Sequence, residues 1–171
     1  DYVGGFEDVM ARRLRLIGDP ETRYREDPVR MLRAVRLAAK LGFSIDPGSS
    51  APIPAMAPLI AGAAPARLFD ESLKLFLAGH AEASFLGLEA HALLPALLPE
   101  TAEALRTNRS GSLRTMVLEG LRNTDQRIAE DRPVTPAFLY AVLLWPAYCR
   151  ELARLQGGEQ IHGGERGAQA G

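Results

Sequence analysis

Apolar positions along this 171-residue chain recur at steps of three and four, and the alternation expected of strands is nearly absent. The clearest instance lies between Arg25 and Phe43. Asp27 followed by Pro28 predicts a helix starting at Asp27, because the carboxylate can accept from an orphan backbone N–H and proline fits the first helical position. Met31, Ala34, Val35, Ala38 and Leu41 then form an apolar face. Arg30, Arg33, Arg36 and Lys40 recur at steps of three, three and four, which at about 100° per residue gathers them within a third of the circumference. Gly42 supplies a left-handed C-cap, with Phe43 beyond it placed to fold back on the last turn.

The same pattern predicts helices around Ala51 to Ile60, Ala66 to Leu77, Ala81 to His91 and Leu94 to Arg106, then Leu113 to Ala129 and Pro136 to Leu155. Thr135 precedes Pro136 as an N-cap, whereas Pro52, Pro54 and Pro58 interrupt the segment they occupy. Val9 to Ile17 reads as a short extended or helical piece closed by Gly18-Asp19-Pro20, and Asn108 to Gly111 reads as a loop. The polar, glycine-rich tail from Gly157 is expected to be disordered. The fold class expected is therefore all-α.

With 47% hydrophobic and 24% charged residues, the composition suits one helical unit, or a small domain with part of another. A net charge of −1 gives no global case for nucleic acid. Basic charge is local: Arg12, Arg13, Arg15, Arg23 and Arg25 join Arg30, Arg33, Arg36 and Lys40 in the first forty residues, interspersed with seven acidic ones. That interspersion suits specific pairing better than a generic RNA patch. The single cysteine, Cys149, excludes an internal disulfide and fits a cytoplasmic protein; no membrane span or signal-peptide pattern is present. His80, His91 and His162 are too scattered for a metal site, and Phe138, Tyr140 and Trp145 are expected to pack in a core.

Chemistry is concentrated at the start of the first helix. Arginines offer planar forks of donors for phosphate or base edges, while Asp27 only accepts, so together they can mimic a base-pairing edge. The alternative is a set of solvated surface pairs, Glu26 and Asp27 with Arg30, and spacing alone favours it. Arg67 and Glu71, one helical turn apart, are expected to form an intrahelical pair that positions the surrounding helices.

The segment Glu26-Asp27-Pro28-Val29-Arg30, continuing to Arg33 and Arg36, resembles the acidic-acidic-x-x-Arg motif of bacterial poly(A) polymerases in the tRNA nucleotidyltransferase superfamily. Asp1 to Pro20 resembles that family's connection from catalytic head to neck, and Pro65 to Phe76, with Arg67 and Glu71 at its matching polar positions, a later helical motif. The resemblance implies an all-α neck followed by part of a helical body. The chain then divides into a connector over 1–22, a neck over 23–98, a partial body over 99–156 and a tail over 157–171. It also implies addition of AMP from ATP to RNA 3′ ends, with Asp27 and Arg30 reading adenine, Glu26 orienting Arg30, and Arg33 and Arg36 contacting the nucleotide. The family holds Mg2+ on two aspartates one residue apart in its head. No such pair occurs here, so the magnesium is expected outside this chain and the chain alone is expected to be inactive. CCA addition and a headless helical RNA-binding module are the alternatives. The runs from Ala66 to Ser84 and from Asn123 to Trp145 look more like poly(A) polymerases.

Overall fold

The computed structural model describes residues 4–165, with side chains described through Gly157. The tail beyond 165 and Asp1 lie outside the described residues, as does the side chain of His162. Among the described residues the fold is all-α apart from one two-residue parallel pair. Helix α1 (Gly5–Met10) leads into strand β1 (Arg13–Leu14), followed by α2 (Pro20–Glu26) and α3 (Val29–Leu41). Strand β2 (Ser44–Ile45) then pairs with β1, Arg13 opposite Ser44 and Leu14 opposite Ile45. Helices α4 (Pro47–Ser50) and α5 (Ile53–Met56) and a 3₁₀ turn (Ala57–Gly62) lead to α6 (Pro65–Phe76) and α7 (Ala81–Ala90). Helices α8 (Leu94–Leu97), α9 (Pro99–Thr107), α10 (Ser112–Ala129) and α11 (Pro136–Glu165) complete the chain.

Prolines decide where this order departs from the sequence reading. The helix expected from Ala51 to Ile60 is instead α5 and the 3₁₀ turn, because Pro54 and Pro58 cannot donate to the preceding turn. The helix expected from Leu94 to Arg106 breaks at Leu98, which sits at φ −133°, ψ 69° because Pro99 drives its predecessor out of the helical region. Asp19 before Pro20 starts α2 by accepting from the Thr22 N–H, and Asp46 before Pro47 starts α4 by accepting from Gly48 and Ser49. Both repeat the Asp-Pro signal of Asp27-Pro28. Thr135 caps α11 as expected, its hydroxyl accepting from the Phe138 N–H at 3.2 Å. Helix α11 continues through the glycines of 157–165, where the sequence reads as a disordered tail.

Helix α3 is the central rod. Met31, Leu32 and Val35 are fully buried against α6 and α7, while Leu41, placed on the same face by periodicity, is half exposed. Gly42 at φ 65° closes it in a Schellman arrangement, Phe43 N–H reaching the Ala38 carbonyl at 3.0 Å. One buried cluster runs from Tyr24 through Phe76, Phe85 and Leu121 to Leu139 and Leu143. The cluster is continuous across the Asn108 to Gly111 loop. A further tie crosses it: the Asp125 carboxylate of α10 accepts from the Ala81 and Glu82 N–H groups at 2.6 and 3.1 Å, capping α7. Among the described residues no helix is long and apolar enough to cross a membrane.

Helices α10 and α11 approach at Gly120, where an added Cβ would lie 2.6 Å from Val142 Cγ1 and 3.0 Å from Cγ2. Valine is stiff at χ1 and cannot swing clear cheaply. Gly120→Ala gains about 1 kcal/mol of helix propensity but overpacks this contact at about 1–3 kcal/mol, so a net loss is expected in urea unfolding. Gly157→Ala, which meets open space, is expected to be neutral or stabilising in the same assay.

Candidate nucleotide site

Asp27 stands at the corner between two helices. Pro28 forces it out of the helical region, to φ −148° and ψ 93°, so it closes α2 and opens α3. Its carbonyl accepts from Arg30 N–H at 3.0 Å, and its Oδ1 accepts from Val29 N–H at 3.2 Å. The cap expected from the sequence is thus in place, two residues before the first regular turn.

The rest of the carboxylate is committed elsewhere. Arg67, in the first turn of α6, donates from Nη2 to Oδ1 and Oδ2 of Asp27 at 3.1 and 3.0 Å. Arg33 Nη1 lies 3.9 Å from Oδ2 of the same group. Glu71, one turn further along α6 and only 3% exposed, receives Arg36 Nε at 2.7 Å and lies 3.8 Å from Arg33 Nε. The intrahelical Arg67–Glu71 pair expected from spacing does not form. Glu71 instead reaches across to α3 and Arg67 to the Asp27 corner before it, because both lie on the α6 face that packs there. Three guanidinium groups and two carboxylates alternate along this seam, leaving one net positive charge.

Arg30 stands apart. Its side chain makes no hydrogen bond or ion pair among the described residues, and its Nε is buried without an acceptor. It borders a pocket of about 330 Å³ with Arg23, Arg33, Leu14, Ile17 and Leu37. Arg23 Nε is buried without an acceptor as well. The expected orientation of Arg30 by Glu26 is absent: Glu26 accepts from Arg23 at 3.0 Å, its i−3 neighbour on α2. Sequence reasoning missed Arg23 because its role depends on α2, a helix not predicted. The Asp19-Pro20 start was the available signal. The site residues therefore fall into two groups, Asp27 with Arg33, Arg36, Arg67 and Glu71 in the seam, and Arg30 with Arg23 at the pocket, with Arg33 common to both.

Two other expectations change. Phe138 and Trp145 are 43% and 46% exposed rather than buried in a core, since α11 turns its opposite face, Leu139 and Leu143, inward. Tyr140 stacks on Phe69 with ring centroids 5.8 Å apart. Among the described residues no cluster of His, Cys, Asp or Glu fits a metal ion.

Burial alone would raise the Asp27 pKa. The Arg67 hydrogen bond and charge, with Val29 N–H and Arg33, outweigh it and hold the carboxyl below its usual value. Because the folded-state pKa is depressed, the unfolded chain binds the proton more readily. The stabilisation is present above the ordinary aspartate range near 4 and is lost as pH falls through the lowered folded value. Asp27→Asn is therefore expected to melt below wild type at neutral pH, with the gap in Tm closing as the pH is taken well below 4.

Residues 42–105 match the family model described as "Probable RNA and SrmB- binding site of polymerase A". Fold and match together define the class of this chain as a helical segment of polymerase A type. Poly(A) polymerase I of Salmonella typhimurium is 47% identical over 145 residues, covering 85% of this chain and 31% of its own length. Poly(A) polymerase I of Escherichia coli O6:H1 is 48% identical with the same coverage. The CCA-adding enzyme of Geobacillus thermodenitrificans is 42% identical over 103 residues, 60% of this chain and 25% of its own length. The chain belongs to the bacterial poly(A) polymerase family and spans about a third of the length of those poly(A) polymerase relatives.

Proposed function

We propose that this chain is the nucleotide-reading neck and part of the body of an RNA 3′-adenylyltransferase that uses ATP. The observation that carries the reading is Arg30, a guanidinium without an internal partner at the rim of a pocket, one turn from the Asp27 corner. A structural arginine would have found a carboxylate, as Arg36 and Arg67 have. Arg30 offers a donor fork to a base edge. Arg33, shared by seam and pocket, offers positive charge to phosphate. Asp27 can join Arg30 in reading a base only by exchanging its Arg67 contact for the ligand. Arg36 is committed to Glu71 and holds the helices rather than the nucleotide.

Adenylation is favoured over CCA addition because similarity to poly(A) polymerases extends over 85% of the chain, against 60% for the CCA-adding enzyme. In the reaction proposed, an RNA 3′-hydroxyl attacks the α-phosphate of ATP and pyrophosphate leaves. The residues here contribute base selection and charge. The sequence has no pair of aspartates one residue apart, and the 171-residue chain alone is expected to extend no RNA primer. The test is a chimera in which the aligned 145 residues replace their counterpart in Escherichia coli poly(A) polymerase I. Tailing of a primer with ATP supports the proposal. A soluble, folded chimera that adds C, C and A, or that adds nothing, refutes it.

A further inference from the structure

The pocket beside Arg30 offers donors and no side-chain acceptor to meet them. Arg23 and Arg30 both line it, and the Nε of each is buried without an acceptor. A third donor comes from α4. Ser49, 2% exposed and part of the same lining, accepts from the Leu16 N–H at 2.9 Å through its hydroxyl oxygen, and its hydroxyl proton has no acceptor among the described residues. No aspartate or glutamate lines the pocket, and apart from Arg15 and Arg33 the rest of its wall is aliphatic. Those two arginines are tied to carboxylates outside the lining, Arg15 to Asp8 at 2.9 and 3.0 Å, Arg33 to Asp27 and Glu71 at 3.9 and 3.8 Å.

Buried donors without a partner are uncommon, because each gives up its water for nothing. Three around one pocket define what an occupant must bring: several acceptor atoms, negative charge, and no donor that would itself need a partner. We propose, building on the reading of this chain as a nucleotide-reading neck, that the pocket binds a phosphate group held by Arg23 Nε and the Ser49 hydroxyl. The donors stand on three elements, Arg23 on α2, Arg30 on α3 and Ser49 on α4. A tetrahedral phosphate accepts from several directions at once, whereas a planar carboxylate accepts in one plane. Ribose hydroxyls and most base edges bring donors of their own, for which this wall has no acceptor. Arg30 keeps Nη1 and Nη2 for the base edge assigned to it above. The aliphatic surroundings strengthen charge-assisted hydrogen bonds made inside.

Arg23 is oriented before any ligand arrives. Its Nη1 donates to Glu26 at 3.0 Å, and its Cγ and Cδ lie against Gly18, each 3.7 Å from where a Cβ would stand. Gly18 is at φ 91°, a conformation open to glycine, so the turn that leads into α2 also flanks the arginine stem. A guanidinium held in this way loses little further freedom on binding.

The phosphate can belong to the nucleotide or to the RNA strand, and arginine Nε–H resonances of the isotope-labelled 171-residue chain separate the two. The signals are assigned by their loss in Arg23→Met and Arg30→Met. ATP and a short oligo(A) are the phosphate-bearing probes, and adenosine is the control. The Arg23 signal should shift downfield with ATP or with oligo(A), the responding probe naming the source, and should stay in place with adenosine. Arg23→Met should weaken binding of that probe about 10-fold or more, the loss of one hydrogen bond to a charged group. An Arg23 signal that neither phosphate probe moves, or that adenosine moves as far, overturns the proposal. In the tailing chimera, Arg23→Met that lowers the ligand-free Tm but leaves KM for both ATP and primer unchanged overturns it too, giving the pocket to an acidic side chain from the rest of the enzyme. The underlying reading fails separately: an Arg30 signal indifferent to adenosine and ATP removes base reading, whatever Arg23 does.

Discussion

Arg36→Ala is expected to lower the stability of the chain by about 3 kcal/mol, the largest loss anticipated from any single polar side chain in the neck. Glu71 is almost wholly buried, and its one hydrogen-bonded partner is Arg36 Nε at 2.7 Å. Without Arg36 the carboxylate faces only Arg33 at 3.8 Å, too long for a hydrogen bond, and must bear most of its desolvation cost. Breaking a buried pair costs about 3–5 kcal/mol, and the lower end applies because Arg36 itself is 24% exposed. In a domain of this size that corresponds to a fall in Tm of roughly 6–12 °C. The double variant Arg36→Met, Glu71→Met should recover most of the loss, because an apolar pair fills the seam without a buried charge. Urea unfolding of wild type, Arg36→Met, Glu71→Met and the double variant completes the cycle, and an Arg36 variant within about 0.5 kcal/mol of wild type would show the pair to be solvated after all.

The opposite pattern is expected at Arg30. With no internal partner to abandon, Arg30→Ala should leave Tm nearly unchanged while removing base discrimination in the tailing chimera. Loss of one bidentate contact is worth about 1–3 kcal/mol, so the preference for ATP over CTP should fall roughly 5- to 150-fold. Arg33→Ala should weaken incorporation of all nucleotides more evenly, since point charge on a phosphate does not distinguish bases. It should also cost some stability, because Arg33 bridges Asp27 and Glu71. Unchanged nucleotide preference in Arg30→Ala would remove the base-reading role.

Much of this arrangement was legible in the sequence because it depends on short-range rules. The Asp27 cap, the Gly42 terminus and the Thr135 cap each involve residues within a few positions of one another. The helix breaks at Leu98 and Pro54 were local too, but their signal, a proline inside a continuous apolar period, reads equally as a helix N-terminus. What the sequence could not yield was partner choice. Arg67 and Glu71 are four residues apart and satisfy the rule for an intrahelical pair, yet tertiary packing offers each an oppositely charged group on α3 or at the Asp27 corner before it, and those contacts win. Glu26 shows the same ambiguity on a smaller scale: Arg23 and Arg30 are both at helical spacing, and α2 ends before Arg30. The exposure of Trp145 was hidden because α11 is apolar around most of its circumference, so composition could not say which side faces the core.

The Asp125 contact bears on how such enzymes can exchange parts. A loop such as Asn108 to Gly111 looks like a natural seam for recombination, yet α7 on one side of it obtains its N-terminal cap from α10 on the other. A crossover in that loop would inherit a helix from one parent and the carboxylate that completes it from another. Productive shuffling must keep His80 through Asp125 together, so the heritable building block of this architecture straddles the loop rather than ending at it.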